Sequence, residues 1–215
     1  MPRILFIAQE VGGVGKSTLV RGVAEAVPDA PIFEIESTPR ILEYDHDSKQ
    51  QQKRVTYFPV RADRASIEAT GGQSARQEFD GLINAMIRVK LPHAVDLGAN
   101  TASSLLGSFD EELVAGFSRA GIEFGILVVL TADPAAVSEA AKLLASAKRW
   151  AKARFAVENR MRGNVDPHLL KQVTDDVSVT TLAKWAFEPP TIGFLQAMGL
   201  KCESAPGSRR WKYRQ

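Results

Sequence analysis

The stretch Gly12-Gly13-Val14-Gly15-Lys16-Ser17-Thr18 lies just beyond the apolar run Ile4-Leu5-Phe6-Ile7-Ala8. A short apolar run closed by glycines reads as a buried strand feeding a tight turn. Leu19, Val20, Val23 and Val27 then follow at helical spacing, which predicts a helix over Lys16 to Ala26. Strand, glycine loop and helix in that order build an anion site from main chain alone. Glycines let successive N–H groups turn inward, and the helix adds its positive end. A glycine turn that binds nothing has no need of Lys-Ser-Thr after it, so the segment is read as a nucleotide-binding loop.

The side chains fill out this reading. Lys16 is expected at the outer phosphates, Ser17 as a magnesium ligand and Thr18 near the α-phosphate, with the main chain of Gly12, Gly13, Val14 and Gly15 as the cradle. The usual loop pattern places another glycine where Glu10 stands. Asp96 closes the apolar segment Ala94 to Leu97, a place for a carboxylate that holds magnesium directly or through water; a loop cap is the plain alternative. Gly98 can bring its N–H close to the γ-phosphate. Glu36 ends the segment Ile32 to Glu36 and is the candidate to position attacking water, with Glu34 in its place if the register shifts by two. In-line hydrolysis needs positioning and charge neutralisation rather than covalent help. Asn159 is read either as an amide for the adenine edge or as a turn former. His46, His93 and His168 lack metal-ligand spacing.

Along the chain, strands are expected over Arg3–Ala8, Ile32–Glu36, Val55–Val60, Ala94–Leu97, Phe124–Leu130 and Arg154–Val157. Helices are expected over Gln73–Val89, Asp110–Ala120 and Pro134–Trp150, the last capped by Asp133, and over Gly193–Met198. Alternating strands and helices imply an α/β fold: three layers, a mainly parallel sheet with helices on both faces. Ligands of such sheets sit beyond the carboxyl ends of the strands. Four polar clusters fall there: the glycine loop, Glu34/Glu36, Asp96-Leu97-Gly98 and Asn159. Residues 44–54 are polar and read as a surface excursion or a switch loop.

Composition sets the frame. With 215 residues and 45% hydrophobic content, one domain over residues 1–205 is expected. The most apolar stretch, Gly121 to Ala132, is strand-sized and interrupted by Glu123, so no transmembrane segment is expected. A single cysteine, Cys202, rules out an internal disulfide framework, and together with the absence of a cleavage-type segment this suggests the cytoplasm. Charge is uneven: residues 1–141 carry 13 Lys/Arg against 19 Asp/Glu, and residues 142–215 carry 14 against 6. A basic tail over 206–215, including Arg209, Arg210, Trp211, Lys212, Tyr213 and Arg214, is read as holding nucleic-acid phosphates and stacking on bases, as gripping an acidic partner, or as a solvated terminus. The stretch around Trp150, with Lys148, Arg149, Lys152 and Arg154, is read as a nonspecific DNA contact or a solvated helix face.

These motifs resemble the ParA/MinD group of P-loop ATPases. The loop Val11 to Thr18 is similar to the group's Lys-Gly-Gly-x-Gly-Lys-Thr/Ser-Thr. Ile35-Glu36-Ser37 resembles its first switch, Val95 to Asn100 its second, Val128 to Pro134 its following strand and turn, and Val157 to Arg160 its adenine-side segment. Size and the Gln9–Lys16 loop resemble plasmid stability and conjugal transfer ATPases of the StbB/TraL type. The resemblance implies ATP and Mg2+ as ligands and a slowly hydrolysing switch acting in plasmid partition, stability or conjugative transfer. It also implies a plasmid-encoded DNA-binding or transfer protein as partner, and a nucleotide-dependent homodimer. Val11 stands where the group has the lysine that crosses to the partner subunit, so that contact is missing unless another cation such as Arg40 supplies it. A small-molecule kinase using Arg61, Arg64 and Arg76, and a nucleotide-binding adaptor that does not hydrolyse, remain the alternatives.

Overall fold

The computed structural model describes residues 3–45, 53–60, 73–183, 201–204 and 211–214. The strands expected from apolar runs form: β1 (Ile4–Ala8), β2 (Ile32–Glu36), β3 (Val55–Pro59), β4 (His93–Leu97), β5 (Phe124–Leu130) and β6 (Ala151–Asn159). With β7 (Ser178–Leu182) they make one seven-stranded sheet in the order β3-β2-β4-β1-β5-β6-β7. Every pairing in it is parallel. The helices are α1 (Lys16–Ala26), α2 (Gln73–Arg88), α3 (Ala102–Gly107), α4 (Glu111–Arg119), α5 (Pro134–Ala147) and α6 (Pro167–Thr174). This is the three-layer α/β architecture that the alternating pattern predicts.

Side-chain parity along the strands divides the core between two faces. Ile4, Phe6 and Ala8 of β1, Phe33 and Ile35 of β2, and Val95 and Leu97 of β4 pack with α2, α3, α4 and α5 residues in one large cluster. Ile7, Ile32 and Ala94 point to the other face and pack with Val20 and Ala24 of α1. The same parity sends Glu34, Glu36 and Asp96 to the α1 side, at the carboxyl ends of their strands. Glu34 and Asp96 are register partners across β2 and β4, and Ile7 of β1 pairs with Asp96. The central strand β1 thus delivers the glycine loop beside the Asp96 end of β4, with the Glu34/Glu36 end of β2 one strand further on.

Several elements differ from expectation. The α5 helix stops at Ala147, and β6 starts at Ala151 rather than Arg154. Trp150 sits between them, 6% exposed, with Phe6, Phe109 and Phe124 rings at centroid distances of 5.7, 5.5 and 6.1 Å. Its indole ends the helix by filling the aromatic core. The cations around it are paired: Lys148 and Arg154 reach Asp176 at 3.0 and 2.9 Å, and Lys152 binds Glu123. Those two bridges hold the Asp176 carboxyl down to about 2. This stretch is therefore an intramolecular charge network around a core tryptophan, which leaves Arg149 as its exposed cation outside those pairs. The sequence reading does not contain helices α3 and α6 or strand β7, which are only six, eight and five residues long. Asp133 caps α5 as expected, accepting from the Ala135 N–H at 2.9 Å.

Part of the expected tail is strand: β9 (Trp211–Arg214) pairs antiparallel with β8 (Lys201–Ser204). The helix expected over Gly193–Met198 and most of the polar segment 44–54 lie outside the described residues. No helix among the described residues is long and apolar enough to cross a membrane.

Replacing Trp150 with alanine removes one large member of the aromatic cluster. The expected cost is about 3–5 kcal/mol, read as a lowered denaturation midpoint in urea. A midpoint within experimental error of the wild type would return Trp150 to the surface.

Candidate functional site

The loop after β1 is held from below by Gln9, which is fully buried. Its amide Nε2 donates to the Val129 and Ala136 carbonyls at 2.6 and 3.0 Å. Its Oε1 accepts the Glu10 and Val11 N–H groups at 2.8 and 3.3 Å. One side chain thus fastens the loop entrance to β5 and α5 while satisfying its own polar atoms. Glu10 carries the loop further: its carboxylate accepts the Ser103 N–H in the first turn of α3. Val11 leans on the apolar cluster of Val14, Val129 and Ala136.

Beyond Val11 the main chain changes character. Gly13 and Gly15 take φ of +75° and +93°. At Gly15 a Cβ would meet Asn159 Nδ2 at 2.3 Å, so glycine is required on both counts. Among the described residues, no hydrogen bond uses the N–H groups of residues 12–18. Those from Lys16 onward belong to the first turn of α1, where a helix leaves its donors without internal partners. Unbonded N–H groups at a helix start are donors that an anion can use.

Lys16 opens α1 and points to the carboxylates of the sheet. Its Nζ lies 2.8 Å from Asp96 Oδ1 and 3.1 Å from Glu36 Oε1. All three are buried. Glu34, fully buried beside them, accepts the Arg40 N–H through Oε1 at 2.5 Å. Among the described residues, Glu34 Oε2 and Asp96 Oδ2 have no hydrogen-bond partner. Burial raises the Asp96 carboxyl, against the opposing pull of Lys16. Burial also raises Glu34, and the charges of Asp96 and Glu36 push the same way. The cluster holds more carboxylates than cations.

Gly98 follows directly on β4. Its N–H donates to the Ile35 carbonyl at 2.7 Å, and a Cβ there would meet Glu36 Oε2 at 2.8 Å. The Gly98 N–H is therefore bonded across to β2, and reaching a phosphate requires that bond to open. The turn continues through Asn100, the one non-glycine residue with positive φ among those described, at +63°. Asn159 ends β6. Its Nδ2 donates to the Val14 carbonyl at 2.7 Å, and its Oδ1 accepts the Met161 N–H at 3.1 Å. It caps a 3-10 turn and grips the glycine loop at once, the turn-forming role in the sequence reading together with a contact that reading did not contain.

The structure thus gathers Gly12 to Lys16, Glu34, Glu36, Asp96, Gly98 and Asn159 at one end of the sheet. Ser17 is half-buried and Thr18 exposed in the first turn of α1. The donor set suits a polyphosphate with a hard cation: unpaired main-chain N–H groups, one lysine, the Ser17 hydroxyl and an unpartnered carboxylate oxygen on Asp96. No group of three or more His, Cys, Asp or Glu among the described residues is arranged to hold a metal. Magnesium in phosphate sites takes one or two protein oxygens, with the rest from water and phosphate. Sequence reasoning missed Gln9 and the Glu10–Ser103 link. A polar residue ending a buried strand was the available signal for Gln9; nothing in the sequence announces the link to Ser103. Arg61 and Arg64 lie outside the described residues.

In the metal-free protein, Glu34→Gln is expected to raise stability at neutral pH, because it removes a buried charge with an unpartnered oxygen. A carboxyl raised above its unfolded value of 4.5 contributes stability below that pH and loses it as pH climbs through the folded value. The gain should therefore vanish in melts near the unfolded value and grow above it. A pH-independent difference would contradict this assignment.

No protein-family model matches the sequence, and no curated protein matches it. Among solved structures, the chain is similar to a plasmid partition protein from Borrelia burgdorferi, with TM-score 0.50 and 15% identity over 92% of this chain and 96% of that one. The MinD cell division protein of Aquifex aeolicus aligns over 90% and 86% of the two chains, with TM-score 0.45 and 13% identity. A variant of Cyanothece McdA in complex with ATP aligns over 83% and 81%, with TM-score 0.47 and 14% identity. At these identities the likeness concerns architecture, and the partition-protein match carries it. The chain shares the three-layer α/β architecture of that partition protein.

Proposed function

We propose that this chain binds ATP with Mg2+ at the loop of residues 12–18 and acts as a slowly hydrolysing switch. The observation that carries the reading is the row of unbonded N–H groups over residues 12–18 at the start of α1, with Lys16 beside it. Gly12, Gly13, Val14, Gly15, Lys16, Ser17 and Thr18 are assigned to the phosphates. Ser17 and Asp96 are assigned to magnesium, Gly98 to the γ-phosphate side and Asn159 to the adenine side. Magnesium supplies charge neutralisation across the outer phosphates when bound. Lys16 exchanges its carboxylate partners for phosphate oxygens. Glu36, released from Lys16, positions water. The Gly98 N–H leaves Ile35 and turns to the ligand, so nucleotide binding and the β2–β4 connection change together.

The setting we propose is plasmid partition, stability or conjugative transfer, with a plasmid-encoded DNA-binding or transfer protein as partner. Support comes from the fold shared with a plasmid partition protein and from the motif resemblance of residues 3–162. The basic residues of the C-terminal half, the tail in particular, are the proposed contact to DNA, and the cytoplasm is the proposed compartment. A nucleotide-dependent homodimer would have to form without a lysine at position 11.

Calorimetric titration of ATP tests the site. Wild type is expected to bind Mg-ATP, Lys16→Ala to lose at least roughly 100-fold in affinity, and Ser17→Ala to lose its response to magnesium. Ser17→Ala leaves the Lys16 ion pairs intact, so it separates ligand loss from misfolding. Wild type that binds no ATP at millimolar nucleotide with magnesium would overturn the reading.

A further inference from the structure

Arg40 lies on the connection after β2, and its main chain is clamped from both sides. Its N–H is taken by the buried Glu34 at 2.5 Å, and its carbonyl accepts from Arg21 Nη2 at 2.7 Å. Arg21 is itself fixed by Glu43 at 2.8 Å. A backbone held this way sets where the side chain starts. The side chain is 55% exposed and stands with Nε 4.0 Å from Glu36 Oε1, the same oxygen that Lys16 holds. Among the ion pairs of the described residues, Lys16 and Arg40 are the cations that reach the Glu36 and Asp96 carboxylates.

The charge balance calls for a second cation. Glu34, Glu36 and Asp96 already outnumber Lys16, and a triphosphate tail brings further negative charge beside these buried groups. Magnesium offsets part of it. The position from which a lysine would reach outward holds Val11, which is packed inward on Val14, Val129 and Ala136. The planar fork of an arginine matches phosphate oxygens in a way a lysine does not.

We propose that Arg40 is the second cation of this site: its guanidinium contacts the terminal phosphate of ATP from within the same chain and makes the site prefer ATP to ADP. This rests on reading residues 12–18 as a triphosphate site. The clamps by Glu34 and Arg21 place Arg40 at the rim, and Glu36 holds it there until phosphate takes over. A site that carries both cations in one chain distinguishes ATP from ADP without a second subunit.

The test is titration of ATP and of ADP, each with magnesium, into wild type, Arg40→Ala and Arg40→Lys. Arg40→Ala is expected to weaken ATP roughly tenfold while ADP changes less than about twofold, and Arg40→Lys to recover part of the difference. Equal losses for both nucleotides, or no loss for either, would overturn the role of Arg40 while leaving the cradle intact. Wild type that binds neither nucleotide would overturn the cradle reading as well. Mixing Arg40→Ala with Lys16→Ala chains settles the origin of the arginine. No recovery of ATP affinity supports action within one chain, and recovery would show that Arg40 crosses between chains and contradict the proposal.

Discussion

The ammonium of Lys16, buried between Asp96 and Glu36, is the interaction on which the rest of this site depends. Three separate parts of the chain must agree for it to form. The β1 strand must end at the right height, α1 must begin at Lys16, and β2 and β4 must present their acidic residues on the α1 face. Such a triad is not a cheap source of stability, since desolvating three charges offsets much of their attraction. Its value lies in being poised. Asp96 Oδ2 and Glu34 Oε2 lack partners among the described residues, so the cluster accepts a further cation more readily than a further anion.

Around this triad the protein has arranged a rigid half and a responsive half. Gln9 and Asn159 grip the glycine loop through three main-chain carbonyls and two N–H groups, and they tie it to β5, α5 and the end of β6. The opposite wall is held by contacts that a ligand can replace. These are the Lys16 ion pairs, the Gly98 to Ile35 hydrogen bond and the approach of Arg40 to Glu36. Glu10 bridges the halves, because its carboxylate links the loop to the first turn of α3, directly after the Gly98–Thr101 turn. An event at the loop is in this way connected to helices on the far face of the sheet.

Much of this was legible in the sequence because it depends on local chemistry. The glycines, Lys16 and Ser17 announce themselves through spacing, and the apolar runs of β1, β4 and β5 announce the sheet. Glu34, Glu36 and Asp96 stood out as acids at strand ends. What was not legible depends on contacts between residues far apart in sequence. Trp150 looked like the centre of a basic patch, but Asp176 and Glu123 neutralise its neighbours and the indole belongs to the core. Asn159 reaches back across the fold to Val14, and Gln9 forward to Ala136. The short elements α3, α6 and β7 span too few residues for a repeating pattern to mark them.

The most direct measurement is amide nuclear magnetic resonance of the isotopically labelled protein during addition of Mg-ATP. The expected result is large shifts at the main-chain N–H groups of residues 12–18, together with a shift at Gly98 as its bond to Ile35 opens. Unmoved resonances across that loop, at nucleotide concentrations that perturb another part of the molecule, would contradict the account at its root.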